Sequence, residues 1–404
     1  MRLHPRDRTV RKLAPSGIEF APPRKEVSTG PARHDFEIVA DASLSVEDDM
    51  RRRDFTVNAI ARRLETGEIV DPLGGREDVE HHVLRTVSPT SFAEDPLRLV
   101  RALRFVSQLD FDVDESTRRQ LHDEATSVAL VSGERIGGGL AADGMGELSK
   151  LLLGARPAKA LQLARDTGVL VQLLPEFKKA VGFDQESRYH SLTVEEHTFA
   201  VVQAAADRGF ALPVRLAALF HDLGKPHVAW RGTDNRLHYY AKHGYADRSH
   251  EQVGCELARD ALLRLRYPNA LRDRVVRIVR YHMFQVGKGD SLRARRFLAK
   301  HGAELAFQLV DHKEADYRGK PGEGGLPPLE DIEKLDRFRE TLRRERRNPY
   351  RLSDLAVDGN DLIGIGLRPG PNLGRVLREL LHDVVDDPSL NTRDGLLQLA
   401  RSKR

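Results

Sequence analysis

From Glu94 onward the chain repeats its apolar residues every three to four positions. In EDPLRLVRALRFVSQL, Leu97, Val100, Leu103 and Val106 fall on one helical face. GELSKLLL, PAKALQLARDTGVLVQLLPEF and EEHTFAVVQAAADRG continue the pattern, so most of the chain must fold as packed helices. Only the front reads otherwise. GIEFAPPR and HDFEIVAD alternate apolar and polar residues as half-buried strands do, with Pro22 and Pro23 ending the first. RRLETGEIVDPLGG reads as a hairpin turning at Thr66-Gly67. About three or four strands are expected, all within the first 75 residues, too few to stand alone as a sheet. The expected fold class is mainly α (α+β overall): an incomplete β head, a helical neck and body, a helical domain and a small helical tail. IGGGLAADGMG reads as a loop and GKPGEGGLPP (Gly319 to Pro328) as a linker, followed by the charged helix EDIEKLDRFRETLRRERR.

With 404 residues, 40% apolar and 31% charged, the chain is long enough for two to four globular domains. Lys and Arg exceed Asp and Glu by only 65 to 61, which is no basic tail, but the clustered arginines allow a polyanion partner. The single cysteine, Cys255, excludes a disulfide framework and a cysteine-rich zinc site. No apolar run is long enough to span a bilayer and no secretory signal opens the chain, so a cytoplasmic protein with no membrane partner is expected.

ALFHDLGKP sets His221 beside Asp222 after an apolar run. His197, His250, His282 and Asp316 flank it at gaps of 24, 29, 32 and 34 residues, each enough for one helix and its connection. Six such side chains on successive helices can face one pocket. Mixed imidazole and carboxylate ligands suit a divalent transition metal or Mg²⁺, which lowers the pKa of a bound water for attack on a phosphate ester. Lys225 can hold a phosphate oxygen as a point charge. Among 16 histidines any single one is more readily surface or core than ligand; the argument rests on the set. His197, His221, Asp222 and Asp316 resemble the H…HD…D order of the HD superfamily of metal-dependent phosphohydrolases. His250 and His282 match the extra histidines of its two-metal members.

Toward the front, RRDFTVNA puts Arg53, Asp54 and Asn58 within one turn. Guanidinium forks suit phosphate, while Asp54 and Asn58 suit a ribose hydroxyl or a bracing role. In FAEDPLRLVRALRF, Asp95 and Arg98 are three apart, expected on one helical face as an acceptor–donor edge for a base, with Arg101 and Arg104 extending its charge. Taken singly, each is more readily a solvated face or surface ion pair. SGERI then opens a further helix with Ser132 as candidate N-cap.

In succession, RRDFTVNA, DPLGG, EDPLRLVRALRF and SGERI resemble the class II tRNA nucleotidyltransferase (CCA-adding) and bacterial poly(A) polymerase family, in which an HD domain follows in several bacterial members. The resemblance covers roughly residues 17 to 320. It implies that Arg53, Asp54 and Asn58 contact the ribose and phosphates of CTP or ATP, and that Asp95 and Arg98 read the base. It also implies that helices from Leu151 onward form the neck and body that hold the tRNA acceptor stem, and that the partner is a tRNA or other RNA 3′ end. It divides the chain into a partial nucleotidyltransferase head (1–75), a neck and body (76–180), an HD domain (181–320) and a helical tail (321–404).

The family chemistry needs two Mg²⁺ ions on clustered carboxylates. Glu19 in IEFAPPR matches the third carboxylate, with Arg24 following. The family's Gly-Gly-x-Val-Arg-Asp and Asp-x-Asp elements do not precede RRDFTVNA, and Asp7 is the only acidic residue before Glu19. The expectations are a start placed too late, a separate chain supplying the rest of the head, or a remnant that binds RNA without adding nucleotides. Phosphohydrolysis of 2′,3′-cyclic or 2′ phosphates by the HD domain is the alternative activity.

Overall fold

The structure, a computed structural model, describes residues 43–138, 144–186, 192–244, 246–286, 290–320 and 328–403, with the backbone alone of four strands before residue 43. Those strands are β1 (Arg2–Leu3) and β2 (Ile18–Glu19), paired antiparallel, and β3 (Arg24–Ser28) and β4 (Phe36–Ala40), paired antiparallel with Arg24 opposite Ala40. Glu19 thus lies opposite Arg2, and its side chain is outside the described residues, as is Asp7. Most of the expected glycine loop (139–143) and of the expected linker (321–327) also lies outside them.

Residues 1–173 and 174–404 form two compact units. In the first, α1 (Val46–Arg51) is started by a Ser45/Asp48 capping box. Ala61–Arg62 (β5) and Ile69–Val70 (β6) form the expected hairpin, with Gly67 at φ +72° in its turn. The DPLGG turn leads into α2 (Gly75–Glu80). A Cβ on Gly75 would lie 2.2 Å from the Thr56 carbonyl oxygen, so only glycine lets α2 approach the RRDFTVNA turn this closely.

Strands do not stop at residue 75. Val83–Leu84 (β7) pairs in parallel with Asp112–Val113 (β8) across α3 (Ser91–Glu94) and α4 (Leu97–Leu109). Two-residue strands are too short to show alternation in the sequence. Val100, Leu103 and Val106 of α4 are fully buried and Leu97 nearly so, the face expected from their spacing, and Leu99 is buried beside them. Four helices follow: α5 (Glu115–Asp123), α6 (Gly133–Ile136), α7 (Glu147–Leu153) and α8 (Pro157–Asp166). Helix α4 packs against α7 and α8. A turn at Thr167-Gly168 separates α8 from α9 (Val169–Leu173). Ser132 stands at the N-cap of α6 as expected, but its side chain makes no capping bond.

The second unit is built around α11 (Leu212–Phe220), whose apolar run PVRLAALF is buried from Val214 to Phe220. Around it pack α10 (Val194–Asp207), α14 (Asn269–Tyr281) and α16 (Ala303–Arg318), with a shorter contact to α13 (His250–Arg264). Between α11 and α13 come the turn α12 (Lys225–Val228) and a second unforeseen hairpin, β9 (Trp230–Arg231) with β10 (Leu237–His238). Helix α15 (Ser291–His301) and the charged α17 (Leu329–Glu345) cover α16. The tail helices α18 (Gly359–Gly364), α19 (Pro371–Asp386) and α20 (Arg393–Ser402) enclose their own apolar core around Val376, Leu380 and Leu396. Arg295 of α15 holds this tail through the carbonyls of Val385 and Asp386. No helix among the described residues is long and apolar enough to cross a membrane.

Candidate nucleotide and metal sites

In RRDFTVNA the residues divide by direction. Phe55 is fully buried, edge-on to Phe92 and Phe105, and Thr56 donates its hydroxyl to Asp78 at 2.6 Å. The Thr56 amide donates to the Arg85 carbonyl, and the Val87 amide to that of Asp54. These anchors hold the turn and leave Arg53, Asp54 and Asn58 facing a cavity of about 490 Å³. Asp95, Arg98 and Arg101 line the same cavity, together with Phe105 and Arg135.

Asp54 is 7% exposed and braces the wall. Its carboxylate accepts from Arg101 Nε at 2.7 Å, from Asn58 Nδ2 at 2.9 Å and from the Phe55 amide at 3.0 Å. Burial alone would raise its pKa, but Arg101 and these hydrogen bonds hold it below the usual carboxylate value. Arg53 keeps 51% of its side-chain surface exposed while its guanidinium donates to Asp49 at 3.1 Å and to the Asn58 carbonyl at 3.4 Å.

Asp95 and Arg98 are brought to one cavity, but not as partners on one helical face. Pro96 follows Asp95, whose backbone is extended, and α4 begins at Leu97. The Asp95 carboxylate caps the Leu97 amide at 3.0 Å and takes a two-pronged bond from Arg135 Nη1 and Nη2 at 3.1 and 2.8 Å. Arg98 instead donates to the carbonyls of Ser91 and Arg52 and to Glu94. Arg104 does not line the cavity; its guanidinium pairs with Glu147 of α7 and lies over Phe105. Arg135, within SGERI, was not singled out from the sequence. Only its distance of 40 residues from Asp95 hid it, since local spacing cannot show such a pair.

The six histidine and aspartate residues converge as expected. His197 comes from α10, His221 and Asp222 from the end of α11, His250 from the start of α13, His282 from the end of α14 and Asp316 from α16. All six are buried, in two groups: His197, His221 and Asp316, then Asp222, His250 and His282. In the first, His197 Nε2 lies 3.3 Å from His221 Nε2 and 3.2 Å from Asp316 Oδ1. In the second, His250 Nε2 lies 3.3 Å from His282 Nε2, with Asp222 Oδ1 at 3.7 and 3.8 Å from them. Asp222 Oδ2 is 3.3 Å from His221 Nε2, so this one carboxylate faces both groups.

Each Nδ1 faces a backbone carbonyl: Gly319 for His197, Ala218 for His221, Tyr239 for His250 and Val279 for His282. Donation from Nδ1–H leaves each Nε2 lone pair pointing into the cluster. Burial lowers the pKa of His197, His250 and His282, keeping these imidazoles neutral. Burial would raise Asp222 and Asp316, but His221 and Lys225 outweigh it at Asp222, and Lys320 and His197 at Asp316; both stay well below the usual value. Neutral imidazoles and ionised carboxylates at these distances are a convergence of acceptors, the arrangement a divalent cation satisfies. Lys225, expected near phosphate, is held at 2.6 Å from Asp222 and 2.7 Å from the Gln185 carbonyl oxygen of its side chain. Sequence reading missed Lys320, 2.8 Å from Asp316, and the hairpin residues Arg236 to Tyr240, which wall a cavity of about 450 Å³ over the cluster.

Three families match the chain: the Poly A polymerase head domain over residues 5–85, the probable RNA and SrmB-binding site of polymerase A over 110–181, and the HD domain over 190–323. A multifunctional CCA protein of Leptothrix cholodnii is 35% identical over 388 residues, 92% of this chain and 84% of its own. One from Methylobacillus flagellatus is 35% identical over 315 residues, covering 75% and 71%. An A-adding tRNA nucleotidyltransferase of Deinococcus radiodurans is 34% identical over 366 residues, covering 88% and 78%. The crystal structure of a Bacillus stearothermophilus CCA-adding enzyme in complex with CTP superposes with a TM-score of 0.60 at 25% identity, over 92% of this chain and 77% of that one.

Proposed function

The chain belongs to the class II tRNA nucleotidyltransferase (CCA-adding) family of enzymes, and we propose that the cavity of its first unit selects and holds CTP or ATP for transfer to a tRNA 3′ end. One observation carries the assignment of residues: Asp95, fixed by Arg135, and Arg98, fixed by the Arg52 carbonyl, open onto the same cavity as Arg53 and Arg101. Asp95 offers acceptors and Arg98 donors, so the two together match the mixed edge of cytosine or adenine. Arg53 is placed for the triphosphate, while Asp54 and Asn58 act by keeping Arg101 in position. Divalent metal ions serve families of this kind, and Mg²⁺ is the ion proposed for nucleotide transfer. Residues 1–75 are read as the head, 76–180 as neck and body, 181–320 as the HD domain and 321–404 as the tail.

The test is binding of each nucleoside triphosphate to the full chain by calorimetry. CTP and ATP are expected to bind above UTP and GTP, and Asp95→Ala to remove the preference. Equal binding of all four would overturn the reading.

A second activity is proposed for the other unit, carried by its two buried groups of three ligands. Their two imidazoles and one carboxylate apiece favour a divalent transition ion over Mg²⁺. Bound there, such an ion supplies Lewis acidity and lowers the pKa of a water molecule. The chain's own residues do the rest. The backbone carbonyls orient the imidazoles, and Lys225 and Lys320 place positive charge beside the two aspartates, where a phosphate ester is received. Substrates are proposed to be 2′,3′-cyclic or 2′ phosphates; release of inorganic phosphate from 2′-AMP, lost in Asp222→Ala, is the expected result.

A further inference from the structure

The wall of the 450 Å³ cavity is unlike its floor. The floor is five of the six cluster residues, His221, Asp222, His250, His282 and Asp316, with Lys225 and Lys320. The wall is the hairpin segment Arg236 to Tyr240, with Met283 also lining the cavity, and its two further carboxylates are turned to histidines, Asp234 to His238 and Glu251 to His250. Within the hairpin the rings divide into support and surface. Trp230 is buried, with His238 tilted at 4.6 Å, Lys242 at 4.7 Å and its indole N–H donated to the Tyr240 carbonyl at 3.1 Å. Tyr240 stands at right angles to Trp230, 5.3 Å away, and remains 50% exposed. Among the described residues nothing holds its hydroxyl, and no hydrogen bond or ion pair holds the Arg236 guanidinium. Tyr239 is the anchor of this segment: its hydroxyl donates to the Gln185 carbonyl, and its own carbonyl accepts from His250. One backbone position therefore ties the wall to a cluster histidine.

We propose that this hairpin is the nucleobase platform for the nucleotide substrates proposed above, setting the base against Tyr240 and His238 while the phosphate lies on the floor. The proposal rests on the metal–phosphate reading of the cluster given above. A phosphate alone needs only the floor, whereas a cavity of this size accommodates a small organic ligand. Supported aromatic rings left exposed beside a phosphate site gain stacking energy from any base and pay little ordering entropy. Arg236 and Met283 supply a cation and a polarizable side chain on the same cavity.

Trp230 is the only tryptophan of the chain, so its fluorescence reads this cavity and not the nucleotide pocket of the first unit. The full-length protein, loaded with divalent metal, is titrated with AMP and with ribose 5-phosphate. AMP is expected to bind at least about tenfold tighter. In Tyr240→Ala, an exposed position, that ratio is expected to fall to within about twofold while ribose 5-phosphate binding is unchanged. A dinucleotide monophosphate is titrated alongside: tighter binding than AMP assigns the site to RNA ends, weaker binding to free nucleotides, and either carries a stacked base. A wild-type ratio near one, or a ratio untouched by Tyr240→Ala, overturns the platform. Metal content, measured on the same samples, separates the two failures: protein that takes up no metal loses the underlying reading, whereas metal-loaded protein with a ratio near one loses only the platform.

Discussion

Arg101 Nε donates to the Asp54 carboxylate at 2.7 Å across 47 residues of sequence, joining the RRDFTVNA turn to the middle of α4. The contact fixes the wall of the first unit's cavity and ties its two motifs together. Asp54 is nearly buried and also holds Asn58 and the Phe55 amide, so its loss releases three groups at once.

Asp54→Ala is therefore expected to destabilise the protein by about 1–3 kcal/mol, less than a fully buried pair because Arg101 keeps solvent contact. CTP and ATP affinity should fall at least tenfold, about 1.4 kcal/mol. Urea unfolding and calorimetry read the two effects; unchanged affinity would show that Arg101 is positioned by something else.

Under the proposed function, Arg135, whose guanidinium is forked onto Asp95, acts through Asp95 rather than by touching the triphosphate. Arg135→Ala should weaken the preference for CTP and ATP over UTP and GTP more than it weakens overall triphosphate binding. Arg135→Lys should restore part of the charge but not the fork, leaving the preference impaired. A uniform loss across all four nucleotides would argue for a direct phosphate contact instead.

For the cluster, His282→Ala should remove one metal ion per chain and leave the other, since His282 belongs to only one of the two groups. Asp222→Ala should lower occupancy of both, because its two oxygens face different groups. Elemental analysis of purified protein decides; full metal content in Asp222→Ala would exclude this arrangement.

Gly224 lies against the start of α13, where an added Cβ would sit 2.0 Å from the His250 carbonyl oxygen. Gly224→Ala must push α13 away and carry His250 with it. The expected cost is at least about 2 kcal/mol, typical of forced overpacking, with metal content reduced. Native stability in this variant would mean that the two segments separate freely.

His301 is buried against Tyr281 and Phe297, and its Nδ1 has no hydrogen-bond partner. Burial, aided by Lys300 and Arg277, lowers its pKa from 6.5 to about 4. The unfolded chain then binds a proton below pH 6.5 that the folded chain refuses until about pH 4. Its contribution is complete above pH 6.5 and is lost progressively between 6.5 and 4. Melting of metal-free protein across this range should fall less steeply in His301→Phe than in the wild type; parallel slopes would show that His301 does not titrate this way.

Much of the second unit was legible from residue types and spacing. A histidine and aspartate set spread at helix-length intervals can converge only if helices pack around it, and the buried run before His221 marks the helix they surround. The helical face of α4 was equally plain, because a period of three to four is a property of the element itself. What spacing could not show was the partner of each charged end. Asp95 and Arg98 look like neighbours on a helix, yet Asp95, extended before Pro96, lies outside the helix that carries Arg98, and each finds its partner elsewhere, at Arg135 and at the Arg52 carbonyl. Arg104 likewise carries the periodicity of the cavity face but turns to Glu147. Residue order determines hydrogen bonding within an element and the chemistry available to a site. Which carboxylate a long guanidinium arm meets is decided only when helices distant in sequence have packed.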